Sequence, residues 1–284
     1  MKPQFMRIAM ALIAAIVCPA AVAAPGEPNA KDGSASLTSG VVDLMSRHRL
    51  VIVGEVHGSV QVPTLVLDVA RKATESLAGK ELIVALELPD RMAPALASFL
   101  TDEDASESRA KILADAFWTW RDGRSSDAML GLIDGLRELR RHGASVSIEP
   151  FDSSNVEGAA GKLRDSHMAA NVRRLLREQP ESRILLLAGN YHARMAKGAP
   201  WDAELEHMAY RLRDEQPLTL DARAPTGSVW VCTPDCGVYE FGKQAPPADA
   251  SVHLFDALSE TGYRGEIVFP RFTASPPALD AADR

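Results

Sequence analysis

Leu50-Val51-Ile52-Val53-Gly54-Glu55-Val56-His57-Gly58 runs four branched apolar residues into a glycine, an acid and an imidazole. Apolar residues at consecutive rather than alternating positions mark a strand covered on both faces, the habit of parallel sheets. The same design recurs. Leu82-Ile83-Val84-Ala85-Leu86 leads into Glu87-Leu88-Pro89, residues 144–148 into Glu149-Pro150-Phe151-Asp152, and Ile184-Leu185-Leu186-Leu187-Ala188 into Gly189-Asn190-Tyr191-His192. Longer amphipathic stretches follow at 62–77, 90–100, 156–178 and 203–213. This alternation predicts an α/β protein, a mostly parallel sheet with helices on both faces.

Residues 90–143 hold more helix than one crossover requires, including 106–120 and 125–141, and are expected to form a helical cap insertion. Its Phe117, Trp118 and Trp120 are more readily read as core than as ligand contacts. Apolar runs near 217–220, 228–241 and 266–269 have no helices between them and are expected to finish the sheet or to form a short antiparallel C-terminal extension. Cys232 and Cys236 lie between two strand-like runs, at the spacing of a disulfide across a hairpin turn.

The ends read differently. Lys2 and Arg7 precede an apolar run from 8 to 17 and the small residues Ala20, Ala21 and Ala23, the pattern of a signal peptide over residues 1–23. The run is too short to span a membrane, which takes ~20 apolar residues, so no transmembrane anchor is expected after processing, and a periplasmic or secreted location is. Val17 before Cys18 departs from the small residue that a lipid-attachment site carries. Cleavage would remove Lys2 and Arg7 and leave 29 basic against 38 acidic residues, a net charge of about −9 that excludes nucleic acid as a natural partner. Residues 24–39 and 273–284, rich in Gly, Pro, Ser and Ala, are expected as a flexible linker and a flexible tail around one domain at 40–272.

In an open parallel sheet, ligands bind beyond the carboxyl ends of the strands. Each of the four strands above delivers an ionisable group there: Glu55 and His57, Glu87, Glu149 and Asp152, and His192. Any one of them alone could be a helix cap or a solvated loop residue; four strand ends in concert argue for a pocket. Gly54 and Gly189 would let the backbone turn and a ligand approach. Three chemistries suit the set. A Glu–His pair can activate water while a second His or an Arg stabilises an oxyanion. His57 and His192 with Glu55 or Glu87 could hold a divalent metal with an open position. His57, His192 or the Tyr191 phenol could ligate haem iron. Farther along, Arg164, Met168 and Asn171 share one face of an expected helix.

In order, Gly54-Glu55-Val56-His57-Gly58, Leu86-Glu87, Arg164-Asp165-x-x-Met168-Ala169-x-Asn171, and Ala188-Gly189-Asn190-Tyr191-His192-Ala193 continuing to Gly198-Ala199-Pro200 resemble the blocks of the ChaN-type haem-binding proteins. Their wider superfamily includes the Tiki and TraB proteins and the erythromycin esterases. Likeness to the esterases implies Glu55, His57, Glu87, Arg164 and His192 as catalytic pocket residues. Likeness to the Tiki proteins implies a metal ion (Mn, Co, Zn or Fe) on His57, His192, Glu55 and Glu87. Likeness to the ChaN branch implies haem held by Tyr191, His192 and His57, and a role in iron uptake with an outer-membrane uptake system as partner. The leading expectation is thus an exported protein that binds haem or an iron-bearing small molecule. The alternative is an esterase- or peptidase-type hydrolase, metal-dependent or Glu/His-based, in the same pocket.

Overall fold

The computed structural model describes residues 30–77, 79–153, 161–232 and 235–279. The four apolar runs become strands β1 (Leu50–Glu55), β2 (Leu82–Pro89), β3 (Val146–Asp152) and β4 (Arg183–Gly189). With β7 (Leu218–Arg223), β10 (Ser251–Leu254) and β11 (Gly265–Val268) they form one seven-stranded sheet, in the order β10-β11-β7-β1-β4-β2-β3. Only β10 runs antiparallel to its neighbour. Helices α1 (Ala30–Arg47), α2 (Gln61–Ser76), α3 (Ala93–Thr101), α4 (Ser106–Leu113) and α5 (Asp127–Arg141) precede α6 (Gly161–Glu178) and the short α7 (Met208–Arg211).

Consecutive apolar residues in the strands serve two cores. Val51, Val53, Val84, Leu86, Leu185 and Leu187 join one, with buried residues of α1, α2, α3 and α5; Leu50, Ile52, Ile83, Ala85, Ile184 and Leu186 join the other, with Met168 and Val172 of α6 and Met208 of α7. This two-sided burial is why the strands lack the polar alternation of a half-exposed sheet. The helical insertion between β2 and β3 contributes Leu96, Phe99, Phe117 and Trp118 to the first core, while Trp120 is partly exposed.

Two small antiparallel ribbons complete the chain. β5 (Lys197–Ala199) pairs with β6 (Asp202–Glu206), and β8 (Gly227–Cys232) pairs with β9 (Cys236–Phe241), a hairpin closed by the Cys232–Cys236 disulfide. The second ribbon leans on the first Gly-x-x-His loop, where Trp230 N–H donates to the Gly58 carbonyl at 2.9 Å. Gly58 has φ +81°, and a β-carbon there would collide with the Trp230 backbone, so the close approach requires glycine.

Three expectations change. Residues 30–39 are the first turns of α1 rather than linker, because Leu37, Val41, Leu44 and Met45 recur at helical spacing and are buried. Residues 273–279 are a strap rather than a tail. Ser275 N–H donates to the Gly58 carbonyl at 2.8 Å, Ala278 N–H to Ser125, and the Pro276 carbonyl accepts from Asp127 N–H. A Pro-rich segment with no element of its own thereby satisfies the backbone of its neighbours. Residues 203–213, expected as one helix, divide into β6 and α7 at His207, whose extended backbone and buried ring, bonded to the Gly198 carbonyl at 2.9 Å, break the periodic run. The expected leader with Cys18, residues 24–29 and residues 280–284 lie outside the described residues.

Candidate active site

Strands β1, β4, β2 and β3 are adjacent in the sheet, so their carboxyl ends bring the predicted acids and imidazoles together. Glu55 closes β1 opposite Gly189 of β4, and the Asn190 N–H donates to the Glu55 carbonyl at 2.8 Å, joining the two Gly-x-x-His loops. Glu87 sits where the β2–β3 register shifts between Leu86 and Pro89, an irregularity of the kind that re-aims a side chain beside a site. Asp152 ends β3. From the opposite side, α6 supplies Arg164 and Asp165, and the turn before α5 supplies Arg124.

The cluster is organised as two imidazoles, each held by a buried carboxylate. His57 Nδ1 lies 3.1 Å from Glu55 Oε1, and His192 Nδ1 lies 2.9 Å from Asp165 Oδ1. Arg164 Nη1 donates to His192 Nε2 at 2.8 Å, which assigns that nitrogen as acceptor and Nδ1 as the protonated one. His57 Nε2 stands 3.6 Å from Glu87 Oε2, beyond hydrogen-bond reach. Arg164 also donates to Glu87 at 2.5 Å and to both oxygens of Asp152 at 2.8 and 2.9 Å. Arg124 approaches Asp152 at 3.3 Å and Glu87 at 3.6 Å while its guanidinium lies over the Trp120 ring. Glu87 Oε2 takes the Gly189 N–H at 2.6 Å.

Burial raises the Glu55 carboxyl above its ordinary range, and Oε2 of this residue is buried with no hydrogen-bond partner among the described residues. Burial works against the His57 imidazolium too, but the charges of Glu87 and Glu55 outweigh it and raise the group above 6.5. Burial would also neutralise Glu87, yet His57, His192, Arg164 and Arg124 together hold it well below the usual carboxylate range. Arg164 is buried against its charge and is kept more firmly protonated by Glu87 and Asp152. The surroundings therefore push the two acids in opposite directions, Glu55 upward and Glu87 downward, the kind of separation found where acid–base groups divide their labour.

The geometry joins Glu55, His57, Glu87, Asp152, Arg164 and His192 and leaves Glu149 and Tyr191 aside. Glu149 is partly exposed, and the charges acting on it are those of Arg174, Glu178 and Glu81. The Tyr191 ring packs 5.0 Å from that of Trp201 with the Arg194 guanidinium 4.2 Å from its centre. Arg124 and Asp165 are additions that sequence reasoning passed over. Asp165 stands inside the quoted Arg164-Asp165 pair; Arg124 carries no sequence signal beyond its place in the turn Arg121-Asp122-Gly123-Arg124.

Among the described residues no three His, Cys, Asp or Glu side chains are grouped to hold a metal ion. Arg164 stands among the four donors named for one, its guanidinium on Glu87 and on His192 Nε2, so a cation would meet a fixed positive charge. Both nitrogens of His192 are engaged as well, which fits poorly with an axial bond to haem iron.

Gly189 keeps the free nitrogen of His57 accessible. A β-carbon at this position would lie 2.7 Å from Nε2 and 3.4 Å from Glu87 Oε2. If Nε2 acts on a ligand, Gly189→Ala is expected to displace the imidazole and lower turnover on the order of a hundredfold, with the fold retained by circular dichroism. Unchanged turnover would mean that Nε2 takes no part.

Neither a protein-family model nor a curated protein sequence matches the chain. Among solved structures it is similar to an erythromycin esterase mutant in its open conformation, at 11% identity over 85% of this chain and 95% of that one, with a TM-score of 0.61. A succinoglycan biosynthesis protein aligns at 9% identity over 89% and 100% of the two chains with a TM-score of 0.54, and the type III effector HopBA1 at 16% over 85% and 94% with 0.52. The shared property is the fold, an erythromycin esterase-like α/β architecture.

Proposed function

We propose that the cluster is a hydrolytic centre for a small ester or related acyl compound, with His57 as general base. The observation that supports it best is the Glu55–His57 contact, which leaves Nε2 without a hydrogen bond among the described residues, 3.6 Å from a Glu87 carboxylate that two guanidinium groups also hold. Glu55 would orient the ring and stabilise the imidazolium, as a carboxylate does for any base–orienter pair. Water loses a proton to Nε2 as its oxygen bonds to the acyl carbon. Arg124 and Arg164 stabilise the resulting oxyanion. Collapse then breaks the bond to the leaving oxygen, which takes the proton from His57. His192, fixed by Asp165, would hold the Arg164 guanidinium in place for the oxyanion.

Haem or iron binding, implied by the ChaN resemblance, calls on the same side chains and requires them to leave their present partners. One preparation tests both readings. The purified protein is expected to hydrolyse p-nitrophenyl esters undiminished by a metal chelator, and His57→Ala to abolish the turnover. Activity lost to the chelator and restored by Mn, Co, Zn or Fe would replace this reading with the metal-dependent one. No hydrolysis, together with a saturable Soret shift on haemin titration that Tyr191→Phe or His192→Ala diminishes, would replace it with haem binding.

A further inference from the structure

A cleft of about 500 Å³ opens between the end of β7 and the β8–β9 hairpin, and it meets the two Gly-x-x-His loops through Val56 and Asn190 rather than through the cluster's own side chains. Val229, Phe241 and Phe272 form apolar walls, and Asp221 is a carboxylate lining it. Its volume and composition match those of small-molecule sites, which run to ~300–1,000 Å³ with apolar walls and few polar groups. The cleft also includes Val56 and Asn190. Val56 stands between Glu55 and His57 and is 40% exposed, an apolar surface beside the base. Asn190 follows Gly189 and bonds through its N–H to the Glu55 carbonyl. A ligand in the cleft thus borders both Gly-x-x-His loops.

Asp221 is unusual in this lining. Its side chain makes no hydrogen bond or ion pair with a described residue, and its half-buried position raises the carboxyl, against the pull of Arg223 and Arg194. Arg223, which also lines the cleft, is paired with Glu266 at 2.5 Å. A half-buried carboxyl with no bonded partner among the described residues gains a charge-assisted hydrogen bond when a ligand brings a donor to it.

We propose that this cleft seats the acyl arm of the substrate, a medium-length apolar chain whose far end carries a hydrogen-bond donor, such as an ammonium or hydroxyl, that meets Asp221. The assignment rests on the hydrolytic reading of His57, since it places the carbonyl at that residue and the arm beneath the hairpin. It makes the protein selective for length and for the terminal group. A fully enclosed methylene is worth about fourfold in kcat/KM, and a partly open cleft gives less.

The test compares p-nitrophenyl acetate, hexanoate, octanoate and ω-amino-octanoate with the full chain. The expected result is a rise of kcat/KM of about tenfold or more from acetate to octanoate, with a further gain for the amino compound that Asp221→Asn removes. Val229→Trp should lower the octanoate-to-acetate ratio by about tenfold. A flat series, unchanged by either variant, overturns the proposal. If no ester is cleaved, the same protein is titrated with octylamine and Trp230 fluorescence is followed. Saturable binding that Asp221→Asn weakens would keep the cleft assignment while the hydrolytic reading fails, and the absence of a saturable change would overturn the assignment too.

Discussion

Arg164→Met is expected to destabilise the fold by about 3–5 kcal/mol, the range found when one partner of a buried ion pair is removed. The guanidinium neutralises Glu87 and Asp152, whose side chains are only 3% and 4% exposed. Without it the two carboxylates retain Arg124, at 3.6 and 3.3 Å, and lose the shorter contacts of 2.5 and 2.8 Å. The loss should depend on pH. In the parent protein Glu87 is held below its ordinary 4.5, so it contributes stability that is present above that value and lost as pH falls toward the folded-state value. In the variant this contribution shrinks, so the difference between the proteins should be largest near neutrality and narrow in acid. Adding Glu87→Gln to Arg164→Met should recover part of the stability, because it removes the charge that the first change leaves unpaired. Urea unfolding at pH 7 and at about pH 2.5, inside the interval where Glu87 gives up its contribution, measures all three effects. Equal stability of parent and Arg164→Met at pH 7 would falsify the ion-pair account.

Glu55, His57, Glu87, Asp152 and His192 were legible in the sequence because each follows an apolar run of strand length, and strand ends in a parallel sheet converge on one edge. The spatial order was not legible. β4 comes last of the four in the chain yet lies between β1 and β2, and that insertion sets His192 across from Glu87. Arg124 was invisible for a related reason: its turn precedes a helix, and only tertiary packing brings it to Asp152, 28 residues onward. Asp165 was hidden by its helix, where an acid beside an arginine reads as surface. Its carboxylate instead accepts both His192 Nδ1 and the Met208 N–H at 2.6 Å, tying the second imidazole to the start of α7. Composition misled at both ends. The small and polar residues of 30–39 include the helical spacing that docks α1, and the prolines of 273–279 suit a strap whose work is done by backbone groups.

Glu55→Gln is expected to lower kcat by up to about 10⁴-fold, the loss that follows when the carboxylate orienting a catalytic imidazole is made an amide, and the pH profile carries the more informative part of that result. The His57 imidazolium is raised above 6.5 because Glu87 and Glu55 outweigh burial. A base must be deprotonated, so in the parent protein kcat/KM should climb with pH through a step above 6.5. Removing the charge of Glu55 takes away part of what holds the proton, so the step should move to lower pH even as the plateau falls. A merely structural Glu55 predicts a lower plateau with the step in place, because packing defects do not selectively change the imidazole's affinity for a proton. The linkage gives a second signature of the same sign. A raised imidazole contributes stability that is fully present below 6.5 and is lost as pH rises through the folded-state value, so the parent should lose this contribution over that interval and Glu55→Gln should lose less. Chemical-shift titration of the His57 ring gives its ionisation in both proteins without reference to turnover. A ring that titrates identically with and without the Glu55 charge would remove the pair from the mechanism and leave His57 acting, if at all, through Glu87.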